Sequence, residues 1–487
     1  MTVEGWQWRQ FQAEDIDTLV NAGGVGLISH CLGAGKTPVA LEVLRRLGAQ
    51  RIAVTAPINT FYGWERHARM FLPDLPVRYI DSKRAEDSLA ALKAGEPGIY
   101  MVGWEWGRGS VRYAKNPDGT TITDRRGNKV VDRVIREQLD WSKYPLDASV
   151  FDEIHRGGNR RSIQAKIMHS AKKVPIKLGL SATPAGNKIE NIWSVLHFLW
   201  PQRYKYFGPF TETFLRTQPN PYATYQVAGR KVHVQEVIGE KAPGIVARSI
   251  PTYVKRTEEE VHSELPEVVV HDVPIDLLPA QRRVYRQFEE DALAWLEDNP
   301  VAAALPITKR IRLRQVGLAV PSVNDEEEVS FKEDAKSSKL DALVEIMDDL
   351  PESKALIWTH SKRIIPTVLH RLRKAGYTAA AVHGGQSRDA REAALAAFRS
   401  GEADVLVATI TAMSEGVDGL QHVCSTEIWL SKDESVTANR QAEGRLRRPG
   451  QKHVINRFIM YAKDTLETGQ LGKLKITQDG LVGADFM

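Results

Sequence analysis

Cysteine is nearly absent, with only Cys31 and Cys424 in 487 residues. Two thiols so far apart build neither a disulfide framework nor a four-ligand zinc site. The expectation is two small buried side chains in a reducing compartment. No run of about 18 apolar residues occurs, which excludes a helical membrane span. A secretory signal needs an apolar stretch near the N-terminus, where this chain has Glu4, Trp6, Gln7 and Arg9. Fixed-period repeats and long low-complexity tracts are also missing. These absences lead us to expect a soluble, intracellular protein of the cytoplasm or nucleoid, monomeric and without a membrane partner.

What is present is an ordinary globular composition, 42% hydrophobic and 26% charged, with a net charge of +5. That mild basic bias suits a polyanionic partner and equally suits a mixed, solvated surface. Short apolar runs recur between Gly, Pro and polar turns: Gly26–Ser29, Arg51–Pro57, Ala148–Phe151, Lys177–Leu180, Ala355–Trp358, Asp404–Ala408 and Glu427–Leu430. They read as strands buried on both faces of parallel sheets. Helical spacing appears between them, as in Leu340, Leu343, Val344 and Met347. The predicted class is α/β, with two lobes carrying parallel sheets over 1–200 and 332–487. A helical insertion and linker over 201–331 joins them, including an amphipathic helix over Arg282–Glu297 and an acidic linker over Asn324–Glu328. A β-hairpin excursion is expected over Lys115–Lys129.

The segment Gly33-Ala34-Gly35-Lys36-Thr37 follows a strand and precedes a helical pattern. Glycines let backbone N–H groups curl around phosphate oxygens, and a helix N-terminus adds partial positive charge. Lys36 would neutralise the β- and γ-phosphates, and the Thr37 hydroxyl would ligate Mg²⁺. His30 stands where the usual loop has its first glycine. Downstream, an apolar strand ends in Asp152-Glu153. In a hydrolase Asp152 would hold the metal through water and Glu153 would polarise the attacking water. Apart from the phosphate loop, the same pair reads as a solvated strand end.

In motif order, the chain resembles the Swi/Snf-type ATPases of helicase superfamily two over nearly its whole length. Gln12 within Trp8–Gln12, Asp152-Glu153-Ile154-His155 and Gly179–Pro184 carry the resemblance in the first half. Lys255-Arg256, Leu265-Pro266, Gln281, Tyr285 and Ser338-Lys339-Leu340 carry it through the middle. Trp358–Ser361, Val382–Gly385, Thr409–Asp418 and Gln441–Gln451 carry it to the end. The resemblance implies two RecA-like lobes, ATP and Mg²⁺ as cofactors, and movement along DNA, with duplex favoured. It places Gln12 at the adenine and Ser181 and Thr183 in the segment that couples hydrolysis to movement. Two readings of the same motifs remain beside it: a strand-separating DNA or RNA helicase, and a non-catalytic ATP-binding clamp.

A single phosphate loop cannot also stabilise the γ-phosphate from its far side, so a second body must supply an arginine. Arg448 is assigned as that finger and Arg445 as its companion, three residues apart and on one face if the segment is helical. Gly416 and Asp418 are expected at the ribose, and His155 and Gln441 as sensors of nucleotide state. Phosphate-backbone contacts are expected from Thr60, Thr359, His360, Ser361, Lys362, Gly384 and Thr409. Trp6, Trp8, Trp64, Trp104, Trp106 and Trp193 are either base-stacking platforms or core.

Overall fold

The computed structural model describes residues 6–31, 33–113, 131–227, 230–261, 265–290, 293–296, 299–302, 306–323, 328–350, 352, 354–413, 417, 419–483 and 486. The chain falls into two compact units, Met1–Val261 with Asp479–Met487, and His262–Gln478. Among the described residues no helix is long and apolar enough to cross a membrane.

The first unit is built on seven strands: β1 (Val25–His30), β2 (Arg51–Ala56), β3 (Val77–Ile80), β4 (Gly98–Gly103), β5 (Ala148–Asp152), β6 (Ile176–Leu180) and β7 (Tyr253–Arg256). They pair in the order β7-β1-β6-β5-β2-β4-β3, every pair parallel. Continuous apolar runs form these strands because both faces are covered, so successive side chains enter two different cores. Along β2, Ile52, Val54 and Ala56 pack in one cluster and Ala53 in the other. Along β4, Ile99 and Met101 face one way, Tyr100 and Val102 the other. Each large side chain removed from water in this way contributes about 1.5–3 kcal/mol.

The second unit repeats the plan with six strands: β8 (Val268–Ile275), β9 (Ala355–Thr359), β10 (Ala379–Val382), β11 (Val405–Thr409), β12 (Thr426–Trp429) and β13 (Ile455–Ala462). Their order is β8-β13-β12-β9-β11-β10, again all parallel. In β9, Ala355 and Ile357 enter one core while Leu356 and Trp358 enter the other. The α/β class and the two-lobe, parallel-sheet plan expected from the sequence are what the chain has.

The middle segment differs from expectation. It forms no body of its own among the described residues: β7 is an edge strand of the first sheet and β8 an edge strand of the second. Both strands are flanked by charged residues, which hid them from the apolar-run criterion. The segment is also less helical than expected. Leu215–Val227 pairs antiparallel with Arg230–Glu240. The amphipathic helix spans Pro279–Glu290, not Arg282–Glu297, and Leu293–Leu296 pairs antiparallel with Asn299–Ala302. Its buried side presents Gln281, Val284, Tyr285 and Phe288 at helical spacing. The hairpin tip at Lys115–Lys129 and most of the acidic stretch from Asn324 lie outside the described residues, although Ser110–Tyr113 and Val131–Arg136 pair antiparallel as a hairpin requires.

Candidate nucleotide-hydrolysis site

Apart from Gln12, which lies on a helix before β1, the first-unit residues of the expected site lie at or beyond the carboxyl ends of strands, the edge where open α/β sheets bind ligands. The loop after β1 leads into helix α2 (Lys36–Arg46), whose N-cap is Gly35 at φ 82°. That left-handed backbone favours glycine, and a Cβ there would lie 2.5 Å from Gln12 Nε2 and push the flexible glutamine head away from the loop. Helix α1 (Gln10–Asn21) begins with Gln12 reaching the loop: its Nε2 donates to the Ala34 carbonyl at 3.0 Å, and its Oε1 accepts from Arg9 N at 3.1 Å. Lys36 Nζ donates to the His30 and Cys31 carbonyls at 3.0 and 3.1 Å, an ammonium resting on carbonyl oxygens. Gly33 has φ 78°, the left-handed form expected of a phosphate cradle. Thr37 occupies the first turn of α2, half-buried. The His30 side chain is fully buried and lies 2.9 Å from Asp15, turned away from the loop; a glycine is therefore unnecessary at that position. Cys31 and Cys424 are both free, and burial pushes their thiols up to about 11 and about 12, so both stay neutral.

Two strands over, β5 delivers the carboxylates. Asp152 Oδ2 accepts from Trp64 Nε1 at 2.9 Å, and the Asp152 carbonyl accepts from Trp104 Nε1 at 2.9 Å. Both indoles are buried, which settles these two tryptophans as supports of the carboxylate strand. Regular strand alternation would send the 152 and 153 side chains to opposite faces. Glu153 instead takes a left-handed backbone, φ 49° and ψ 51°, which turns the chain at the strand end and brings the two carboxylates close enough to interact. Burial and the neighbouring Glu153 charge push Asp152 up from the usual carboxylate range. Burial also opposes ionisation of Glu153, but His155, Lys36 and Ser181 outweigh it and hold that carboxyl low. Glu153 Oε2 lies 3.3 Å from His155 Nδ1 and accepts from Ser181 Oγ at 3.2 Å. Ser181 Oγ also meets His155 Nδ1 at 2.9 Å and accepts from Thr183 N at 3.1 Å. The strand-end segment after β6 is thus wired to the glutamate.

The donor set fits Mg²⁺. Among the described residues no group of three or more His, Cys, Asp and Glu could hold a metal by itself. A cation that keeps its waters and is shared with phosphates needs only one or two protein oxygens, and a buried carboxyl pushed up by its neighbour gains from a nearby positive charge. If Asp152 holds that cation, Trp64→Phe should keep the packing and remove one orienting bond. We expect the Mg²⁺ concentration for half-maximal turnover to rise about tenfold, the usual scale for losing an outer partner of a ligand. A Mg²⁺ titration of turnover that matches the parent chain would assign this bond to folding alone.

In the second unit, Thr359, Thr409 and Ser431 gather at the ends of β9, β11 and β12. Thr359 is fully buried and its Oγ1 accepts from Ser361 N at 3.2 Å. His360 meets Ser431 Oγ through its N and Nδ1 at 3.1 and 2.7 Å, and burial holds its imidazole well below the usual range. Thr409 is buried, Ser361 half-buried, and Lys362 and Gly384 are exposed. In the first unit Thr60 is half-buried, with its hydroxyl donating to the Pro57 carbonyl at 2.8 Å. Ser431, the residue that joins this second-unit cluster, carried no sequence signal.

The arginine segment departs from the helical face. The helix Val436–Glu443 ends before Arg445, and the chain continues in turns. The two arginines converge nonetheless: Arg445 Nη1 and Arg448 Nη1 donate to the Val417 carbonyl at 2.7 and 3.1 Å, and Arg448 Nε donates to Gly444 O at 2.7 Å. Arg445 is buried and Arg448 half-buried. Gln441 is buried on the same helix. Gly416 and Asp418 lie outside the described residues. Beneath the segment, Glu443 pairs with Lys432 at 2.6 Å and Arg457 at 3.4 Å; Arg457 also pairs with buried Glu427, which accepts from Trp358 Nε1 at 3.0 Å.

Comparison with known families matches residues 18–316 to the SNF2-related domain and 338–450 to the helicase conserved C-terminal domain. The chain belongs to the SNF2-related family. Chromodomain-helicase-DNA-binding protein 7 of Gallus gallus is 22% identical over 96% of this chain and 15% of its own length. Protein CHROMATIN REMODELING 5 of Arabidopsis thaliana is 21% identical over 98% and 27%. The human SWI/SNF-related matrix-associated actin-dependent regulator of chromatin subfamily A member 1 is 21% identical over 99% and 44%. This SNF2-related chain therefore spans less than half the length of these curated relatives. A solved Sulfolobus solfataricus SWI2/SNF2 ATPase core in complex with dsDNA aligns over 98% of this chain and 97% of that one, at 15% identity and a TM-score of 0.38. In this SNF2-related chain the middle-segment residues have defined posts. Gln281 Nε2 donates to Val316 O at 2.9 Å while its Oε1 accepts from Ser338 N at 3.0 Å. Lys339, fully buried, meets Glu467 at 2.7 Å.

Proposed function

We propose that the chain is a DNA-stimulated ATPase that tracks along duplex DNA. The observation that carries the reading is the buried Asp152–Glu153 pair, one strand removed from the strand that carries the phosphate loop and tied through Ser181 to the strand between them. Lys36 leaves its carbonyl rest to meet the β- and γ-phosphates, and Gln12 stays at the adenine. Thr37 and Asp152 would hold Mg²⁺, which offsets phosphate charge. Glu153, held ionised by its neighbours, orients and polarises the attacking water. As charge builds on the transferred phosphoryl, Arg448 stabilises it, and Arg445 keeps the Val417 loop and its companion in place.

Movement follows from the wiring of Glu153. Ser181 and Thr183 sit in a segment whose hydrogen bonds include the glutamate that acts on water, so loss of the γ-phosphate is felt there first. Grip on nucleic acid comes from Thr60, His360, Ser361, Lys362, Gly384 and Thr409, through backbone phosphates; Thr359, expected among them, is fully buried and instead supports Ser361 from beneath. Such contacts are largely indifferent to sequence and weaken steeply with salt.

The test is turnover with duplex DNA, single-stranded DNA, branched DNA or RNA. Duplex is expected to raise ATP hydrolysis severalfold, with stimulation falling linearly on a log–log plot against salt. The same conditions should displace a triplex third strand. Stimulation by single-stranded RNA with none by duplex would end this reading. ATP-dependent release of an annealed strand would replace it with a strand-separating helicase.

A further inference from the structure

A buried ionic cluster lies beside the phosphate loop and has no part in the chemistry above. His30 Nε2 is 2.9 Å from Asp15 Oδ2, and His30 is 0% and Asp15 3% exposed. Arg256 grips the same carboxylate twice, Nε to Oδ2 at 3.0 Å and Nη2 to Oδ1 at 2.7 Å, and touches Glu14 at 3.2 Å. Three elements meet here, α1, the last residue of β1 and, from 241 residues beyond Asp15, the last residue of β7.

We infer that Asp15, His30 and Arg256 are positioning residues that fix the spacing between Gln12 and Lys36, and thereby set nucleotide selectivity and KM. The inference rests on the ATPase reading. Gln12 and Asp15 are one helical turn apart on the buried side of α1. The helix therefore clamps the loop at two points, Gln12 to Ala34 within it and Asp15 to His30 before it. From the other side β7 holds the same strand end, with Arg256 opposite His30 in register and Cys31 N donating to the Arg256 carbonyl at 2.9 Å. The carbonyls that seat Lys36 are those of His30 and Cys31, the residues this clamp holds. A shift of the His30 side chain thus moves the lysine's seat relative to the glutamine. Buried ion pairs are weak stabilisers compared with apolar packing, whereas a two-pronged guanidinium–carboxylate grip fixes orientation tightly. Burial lowers the His30 imidazole more than Asp15 raises it, so the ring is a neutral strut at neutral pH.

The experiment compares hydrolysis of ATP and GTP by the full chain with duplex DNA, together with thermal melting, for the parent, Gln12→Ala, His30→Leu, His30→Gln and Asp15→Asn. The parent should prefer ATP, and Gln12→Ala should erase that preference. His30→Leu should raise KM for ATP about tenfold with kcat within about twofold, and KM for GTP should stay nearly constant, since only an adenine-specific spacing is disturbed. His30→Gln, which keeps a polar head, should recover most of the loss, and Asp15→Asn should resemble His30→Leu. Lower melting temperatures with the ATP preference intact in these variants would overturn the inference and leave a purely structural knot. If His30→Leu fails to fold, Asp15→Asn and His30→Gln decide by the same ratio. Absence of turnover in the parent, or a Gln12→Ala chain that still prefers ATP, would instead remove the reading on which the inference stands.

Discussion

Arg448→Ala is expected to lower kcat by about 10³-fold or more while leaving ATP affinity within a fewfold, since an arginine finger contributes roughly 10³ to 10⁵ in rate. A group that acts on charge developing in flight affects the transition state far more than the bound ground state. The geometry separates this residue from its neighbour. Arg445 is buried on the Val417 carbonyl, whereas Arg448 is half-buried, with its Nη1 on the same carbonyl and its Nε on Gly444 O. Charge-assisted hydrogen bonds to phosphate oxygens are about twice as strong as bonds to neutral carbonyls, so the guanidinium gains most as charge builds in the transition state. Single-turnover kinetics with a fluorescent ATP analogue separate binding from chemistry. Equal losses in both would make Arg448 a structural residue. Arg445→Ala should differ by lowering the melting temperature, because it removes the shorter of the two hydrogen bonds to the Val417 carbonyl and empties a buried position.

Glu153→Gln should reduce turnover by about 10² to 10⁴, the range for removing a positioned general base, with DNA binding in the presence of ATP intact or tighter. The amide keeps the size and can still accept from Ser181, but it removes the charge that polarises water. Turnover can be followed as phosphate release, and DNA retention by filter binding at fixed salt. A parent chain whose slow turnover is unchanged by this substitution would be the non-catalytic ATP-binding clamp, and no motor.

The parts of the site that are contiguous in sequence were legible there. A phosphate loop is a backbone trap, so its glycines, lysine and threonine must be neighbours, and Gly33 to Thr37 have the left-handed glycines and helix start that such a loop needs. A carboxylate pair at a strand end is equally local. Parallel strands buried on both faces announce themselves as apolar runs, and β1, β2, β5, β6, β9, β11 and β12 match those runs. What escaped was anything that depends on distant segments meeting. Trp64 lies 88 residues from the aspartate it supports, and Arg256 lies 241 residues from Asp15. Aromatic and basic residues have too many ordinary uses for their letters to reveal such pairs. The edge strands β7 and β8 escaped because half-covered strands keep polar residues. Arg445 and Arg448 reach one carbonyl through turns and not along the helical face that their spacing predicts.

One further consequence attaches to the backbone at Glu153. An L-residue with a side chain in the left-handed region sits above its relaxed energy by about 1–2 kcal/mol, and Glu153 is one of two such non-glycine residues among those described. Glycine would adopt that conformation without penalty but would give up the contacts of the glutamate with Ser181 and His155. If Glu153 acts on water as proposed, relaxing this corner with glycine would cost turnover, and any effort to harden the protein on that reading has to hold residue 153 fixed.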